Sequence, residues 1–390
     1  MRLEHNIIKM HLLKAVMWFM VAMPIIVLFF QDHGLSLMQV MQLQATYSFT
    51  VALFELPSGY IADKFGRKRT IIFSTIFSFI GYIIFSFYQG FNFFLIAEIL
   101  VGIGGSLMSG ADSAILYDTL LERGEETKYT KVEGKNYAIG NFSESIAAIL
   151  GGFLAIQSIY LPIYIQTGIL FLSIPISMTL VEPSINHNNK IFSLNNVILT
   201  IKSAIFNNNI LKWLIIYSAF MGVATLSIAW FLQPFFKEIY IPLAYFGILW
   251  AGFNFSAGVT SFNSHKISNR YIILYLALLM VLSFILLAYN FNYFGLFFVL
   301  IIYLLRGLVT PILKNRINQN TCSINRATIL SVRSFIIRIS FAIVAPFLGY
   351  IADAYSLSTA FLILAGIIGF FLFLSSYHIY KTDKKHNFVL

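Results

Sequence analysis

Charge is in short supply in this sequence. Only 11% of its 390 residues are Asp, Glu, Lys or Arg, and 58% are apolar. A soluble domain carries about a quarter charged residues, so the composition excludes a water-soluble enzyme and leaves an integral membrane chain. The net charge of +10 would suggest nucleic acid in a soluble protein, but loops on one side of a membrane account for it here. The single cysteine, Cys322, excludes an internal disulfide and a cysteine-bound zinc or iron–sulfur site, and is read as an inert thiol near a loop. All seven histidines (His5, His11, His33, His187, His265, His378, His386) fall in termini, loops or the ends of apolar runs. No span therefore carries a histidine base or metal pair. No phosphate-binding glycine loop is present to suggest ATP hydrolysis. Neither an enzyme, a cofactor nor a metal site is expected.

What the chain does have is long apolar runs. They fall at about 15–30, 37–62, 70–88, 92–120, 136–157 and 160–181, and again at 210–235, 241–263, 271–289, 292–314, 327–352 and 357–380. A polar, asparagine-rich stretch, 182–209, lies between the two sets. The expected fold is an all-α integral membrane protein with twelve transmembrane helices, because lipid offers no partner for an unpaired backbone group. Its domains are two six-helix bundles, 1–181 and 210–390, with 182–209 as a cytoplasmic loop. Arg2, Lys9 and Lys14 precede the first run in the manner of a signal peptide, but no small-residue cleavage site follows. It is read as a retained helix. When loops are assigned alternately, 22 Lys and Arg collect on one side, Lys237 alone on the other, and Arg306, Arg333 and Arg338 inside spans. That asymmetry puts both termini in the cytoplasm.

Between the second and third runs lies GYIADKFGRKR, from Gly59 to Arg69, with an acid, two glycines and four cations in eleven residues. It resembles the signature loop of the major facilitator superfamily, roughly G-x-x-x-D-x-x-G-R-[KR], at Gly59, Asp63, Gly66, Arg67 and Lys68. Glu55-Leu56-Pro57-Ser58 before it, and the stretch from Gly110 to Asp118, are similar to a bacterial subset of that family. The resemblance implies a secondary transporter of the bacterial inner membrane working by alternating access, with a small-molecule substrate, the proton as coupling ion and a monomeric state. It also implies that Asp118 pairs with Arg67 or Lys68 to hold one conformation, and that spans 1, 4, 7 and 10 line a central cavity.

Charges inside spans cost about 2.5–3.5 kcal/mol each at mid-bilayer, so each asks for a reason. The first half carries acids (Glu55, Glu98, Asp112, Asp118 and Glu144) and the second carries bases (Arg306, Arg333 and Arg338). Matching the halves as repeats at an offset near 194 places Arg306 on Asp112 and Arg338 on Glu144. At about 1.5 Å per residue, Asp112, Glu144, Glu55, Arg306 and Arg338 lie roughly 10–17 Å deep, within reach of one cavity. Arg333 and Arg338 are about 140° apart around a helix, so one of the two is expected to face it. A carboxylate whose hydration changes with conformation can load and release a proton, while arginine stays charged as counter-ion or anion fork. The alternative is a set of structural ion pairs. Trp230 and Gln233 are the next candidate substrate contacts, although a lone Trp also serves as an interfacial anchor. Gly102, Ser106 and Gly110 form a small-residue face for close helix packing.

Three functions follow. The first is proton-coupled export of a drug-like molecule or metabolite, as the resembled subset implies. The second is uptake of an anionic solute such as an organic acid or carboxylate siderophore, gripped by the arginines. The third is a non-transporting membrane sensor. Exporters of this family often carry a glycine-proline motif in span 5, and Ala147–Gly152 lacks the proline.

Overall fold

The computed structural model describes residues 3–184, 208–266, 271–321 and 326–385. Cys322 and most of the 182–209 connection lie outside them. The described residues form thirteen α-helices and no strand: α1 (Asn6–Met17), α2 (Ile26–Asp32), α3 (Leu37–Phe65), α4 (Arg67–Phe87), α5 (Phe91–Glu122), α6 (Tyr129–Gln157), α7 (Leu161–Met178), α8 (Asn209–Glu238), α9 (Leu243–Asn263), α10 (Ile272–Tyr289), α11 (Gly295–Gln319), α12 (Arg326–Ala354) and α13 (Leu357–Lys385). An all-helical chain satisfies its backbone within each segment, as hydrocarbon surroundings demand.

Ten helices, α4 to α13, are long and apolar enough to cross a membrane. The first two expected spans differ from the rest. The 29-residue α3 is long enough but carries Glu55, Asp63 and Lys64 together with Gln39, Gln42 and Gln44. The run at 15–30 is not one helix: α1 stops at Met17 and α2 begins at Ile26. Pro24 has no N–H to give, and its ring would meet the carbonyl one turn earlier. The chain passes the break in tight turns, with Met20 N–H on Trp18 O (2.9 Å) and Ile25 N–H on Ala22 O (3.1 Å). Gly151 of α6 packs here, and any side chain on it would collide with the Val21 carbonyl.

By contact the chain falls into two compact units. The first comprises Met1–Leu35, Thr46–Phe192 and Pro242–Ala251. In it α4 and α5 meet at small residues, where Ser74 Oγ donates to Gly104 O (2.6 Å) and a Cβ on Gly81 would lie 2.5 Å from Val101. Helix α3 crosses α5 on the expected small-residue face, where a Cβ on Gly102 would lie 3.0 Å from Thr50 and one on Gly110 2.7 Å from Ser58. Phe29, Phe30, Phe85 and Phe94 form a buried aromatic core. Asn6 ties three segments together, donating to Val181 O (2.7 Å) and Thr119 Oγ1 (3.2 Å) and accepting from Val181 N–H (2.9 Å).

The second unit comprises Ser36–Ala45, Ser193–Ile241 and Gly252–Leu390. Phe231, Phe284 and Phe361 fill its centre. Helix α11 sits tightly on α9 because Gly307 faces the Ala257 carbonyl, and Thr260 Oγ1 donates to Leu304 O (2.9 Å). At the start of α3, the Asp353 carboxylate at the end of α12 accepts from the N–H groups of Leu37 (2.9 Å) and Met38 (2.7 Å). Those donors have no partner inside their own helix. Gly349 allows the approach, because a Cβ there would be 2.7 Å from Met38 Cα.

Candidate functional site

The loop between α3 and α4 is built on Gly66. Its φ of +97° is a conformation that side-chain-bearing residues avoid. As N-cap of α4, Gly66 offers no side chain to the helix's first N–H groups. Glu182, beyond α7, takes that role, accepting from Arg67 N–H (2.6 Å) and Lys68 N–H (2.7 Å). An anion at this end also meets the positive pole of the helix. The buried Arg67 guanidinium holds two carboxylates: Asp63 one turn earlier and the buried Asp118 of α5, at 3.3 Å. Gly59 lies on α3 with open space at its α-carbon. Downstream, Glu125 and Lys128 pair at 2.8 Å. That hydrogen bond, more than the nearby charges, draws the Glu125 carboxyl below its usual range.

Asp112, on α5, is held within the same unit. Lys14 of α1 contacts Asp112 Oδ2 at 3.1 Å, and the Ser113 N–H donates to Asp112 Oδ1 (2.7 Å). The Lys14 ammonium also lies 4.8 Å from the centre of the Trp18 ring. Ser113 Oγ donates to Glu133 of α6 (2.7 Å), and the other Glu133 carboxylate oxygen is buried without a hydrogen-bond partner among the described residues. Glu55 on α3 and Glu144 on α6 are half-buried, and Glu98 on α5 is buried.

The second unit contains a cavity of about 240 Å³ between α8, α11 and α12. Arg306, Arg333 and Arg338 line it with Ser218, Thr225, Thr310 and Ser334. None of its twelve lining residues is acidic. Arg333 and Arg338 both line this cavity of the second unit. Their long stems let head groups from different sides of α12 reach the same space. The close contact of α8 with α12 depends on Gly222, where a side chain would run into Ile337. Arg333 is 8% exposed and its Nε has no hydrogen-bond partner, and the same is true of Ser218 Oγ, on a residue 1% exposed. Buried polar groups are nearly always satisfied, so each of these atoms has capacity to bond a polar solute or water. Trp230 and Gln233, on the same α8, lie outside the lining, with Gln233 fully buried.

The sequence profile of the Major Facilitator Superfamily matches residues 10–321. The chain belongs to that superfamily. A major facilitator relative, the uncharacterised MFS-type transporter YxaM of Bacillus subtilis (strain 168), is 26% identical over 357 residues, covering 88% of each chain. An uncharacterised transporter of Buchnera aphidicola subsp. Schizaphis graminum (strain Sg) is 29% identical over 102 residues, about a quarter of each chain. Among solved structures, the nucleoside transporter NupG superposes with a TM-score of 0.78 at 14% identity, covering 97% of this chain and 99% of that one. A bacterial homologue of the lysosomal transporter Spinster, inward-facing and occupied, gives 0.74 at 13%, covering 98% and 97%. At such identities the likeness is one of fold. The protein is thus a multi-pass membrane transporter of the major facilitator type, non-enzymatic, whose cargo is a small molecule.

Lys14, Glu133, Glu182 and Ser218 belong to these sites without having been singled out in the sequence. Lys14 reads as one more cation ahead of the first span, and Glu182 as the start of a polar loop. A cation just ahead of a span with an acid inside is the signal that could have drawn attention to Lys14.

Proposed function

We propose that this protein carries a small anionic solute across the bacterial inner membrane by alternating access. The observation that carries the reading is the cavity in which three arginines and several hydroxyls face one another with no carboxylate in the lining. Arginine presents a planar fork matched to carboxylate and phosphate oxygens. A lipophilic cation would meet only repulsion there, so the arrangement supports anion uptake over export of a cationic drug. The missing proline in Ala147–Gly152 accords with uptake.

The moving bodies are the bundles 1–181 and 210–390, joined by 182–209, with both termini cytoplasmic and the protein acting as a monomer. Protons drive the cycle through Asp112. Its protonation releases Lys14, and Ser113 and Glu133 extend a hydrogen-bonded run from the same site. Arg67, Asp63 and Asp118 hold one state of the cycle at the signature loop.

The test is pH-gradient-driven flux in proteoliposomes, comparing a radiolabelled di- or tricarboxylate with a cationic dye. Carboxylate flux that is abolished by Arg306→Ala and loses its pH dependence in Asp112→Asn supports the reading. Dye flux that survives Arg306→Ala and fails in Asp112→Asn overturns it in favour of proton-coupled export.

A further inference from the structure

The geometry points to a dianion: the cavity between α8, α11 and α12 selects a small doubly charged oxyanion, a dicarboxylate or a phosphate monoester, over its singly charged counterpart. This rests on the anion-transport reading and adds the valence of the solute.

Neither Arg306 nor Arg333 has an ion-pair partner among the described residues. The Arg306 guanidinium lies 5.5 Å from the centre of the Tyr303 ring, a contact that orients the head group without cancelling its charge. Arg333 is nine-tenths buried with its Nε unsatisfied. Arg338 has an interaction of its own and counts only as a third positive neighbour. Two positive charges thus share the cavity with nothing in its lining to neutralise them. A buried charge left unanswered is among the most costly arrangements in a protein. A dianion answers both, whereas a monoanion leaves one guanidinium exposed to the same penalty.

Shape and hydrogen bonding agree. Each guanidinium fork can hold a carboxylate end-on, so a dicarboxylate spans Arg306 and Arg333, while a phosphate monoester presents three oxygens to both. Ser218 Oγ, buried and unpartnered in the same wall, supplies a further donor. A volume of about 240 Å³ equals that of about eight waters, room for a solute of roughly ten non-hydrogen atoms. That suits a four-carbon dicarboxylate or a three-carbon phosphate ester. The hydroxyls of Thr225, on α8, and Thr310, on α11, also line the cavity and can meet the solute's neutral polar groups.

The experiment is calorimetric titration of the full chain in nanodiscs with two matched pairs: succinate against succinamate, and glycerol 1-phosphate against its methyl ester. The expected result is binding about tenfold tighter for the dianion of at least one pair, the factor that one charge-assisted hydrogen bond is worth. Preference for succinate or for glycerol phosphate supports the assignment alike and names the source of the charge. Arg306→Gln should collapse the preference while leaving the monoanion bound, and Ser218→Ala should weaken both members of a pair equally. A wild-type arm needs no variant to fold: glycerol phosphate affinity should drop as pH falls through about 6, where the dianion takes up one proton and becomes a monoanion. Equal affinity within both pairs refutes the dianion assignment and leaves the anion-transport reading standing. No binding of any of the four refutes both.

Discussion

Replacing Asp118 with Asn should destabilise the protein far more than replacing Asp63, although Asp63 is the residue that belongs to the signature motif. Both carboxylates contact the Arg67 guanidinium. They differ in setting: the Asp118 side chain is 5% exposed and the Asp63 side chain 47%. Removing one partner of a buried ion pair costs about 3–5 kcal/mol, because the other charge stays behind. Asp63 keeps part of the compensation for Arg67, which brings the expected cost of Asp118→Asn to about 2–3 kcal/mol. Solvent screens the Asp63 contact, so Asp63→Asn should cost about 0–1 kcal/mol. The gap of about 2 kcal/mol corresponds to a difference of about 2–3 °C in melting temperature for a chain of this length. Thermal unfolding of the purified variants, followed by tryptophan fluorescence, measures it. A companion double variant, Arg67→Met with Asp118→Leu, should melt above Asp118→Asn, since an apolar pair leaves no stranded charge. If Asp63→Asn melts as low as Asp118→Asn, burial does not rank these contacts and the reasoning fails.

Three further outcomes are expected. Glu182→Gln keeps one acceptor for two N–H groups and loses the charge, so amide exchange at Arg67 and Lys68 should quicken, with a cost of about 0.5–1 kcal/mol at this exposed position. Unchanged exchange would show that Glu182 does not cap α4. Gly66→Ala should cost about 1–3 kcal/mol through its positive φ, and its Cβ would press on the Glu182 carboxyl at 3.0 Å. A wild-type melting curve would refute that. Asp353→Ala should uncap α3 for about 1 kcal/mol, read as faster exchange at Leu37 and Met38 with no change at Arg67.

Much of the helical layout was legible because apolar runs and cation placement are local properties of a chain. The close packing of α3 on α5 could be read from Gly102 and Gly110, since small residues one turn apart make a face whatever lies against it. The proximity of Asp118 to Arg67 came from the family resemblance. Partner identity was harder. Lys14 meets Asp112 across 98 positions of sequence, and helical periodicity says which way a residue faces without saying what stands opposite. Glu182 was hidden for a similar reason, as nothing local marks an acid after α7 as the cap of α4. The run at 15–30 looked continuous because hydropathy averages over a window and does not register the N–H that Pro24 lacks.

The break in the first span bears on how the protein enters the membrane. Neither α1 nor α2 is long enough to be recognised alone by an insertion machinery that weighs about twenty residues at a time. The turn between them exposes backbone groups that hydrocarbon cannot satisfy, and Gly151, which packs against it, is made more than a hundred residues later. The contact of the amino-terminal turn with Gly151 can therefore form only once α6 has been made. Helix α4, behind the cationic loop, is the first of the described helices long and apolar enough to cross a membrane.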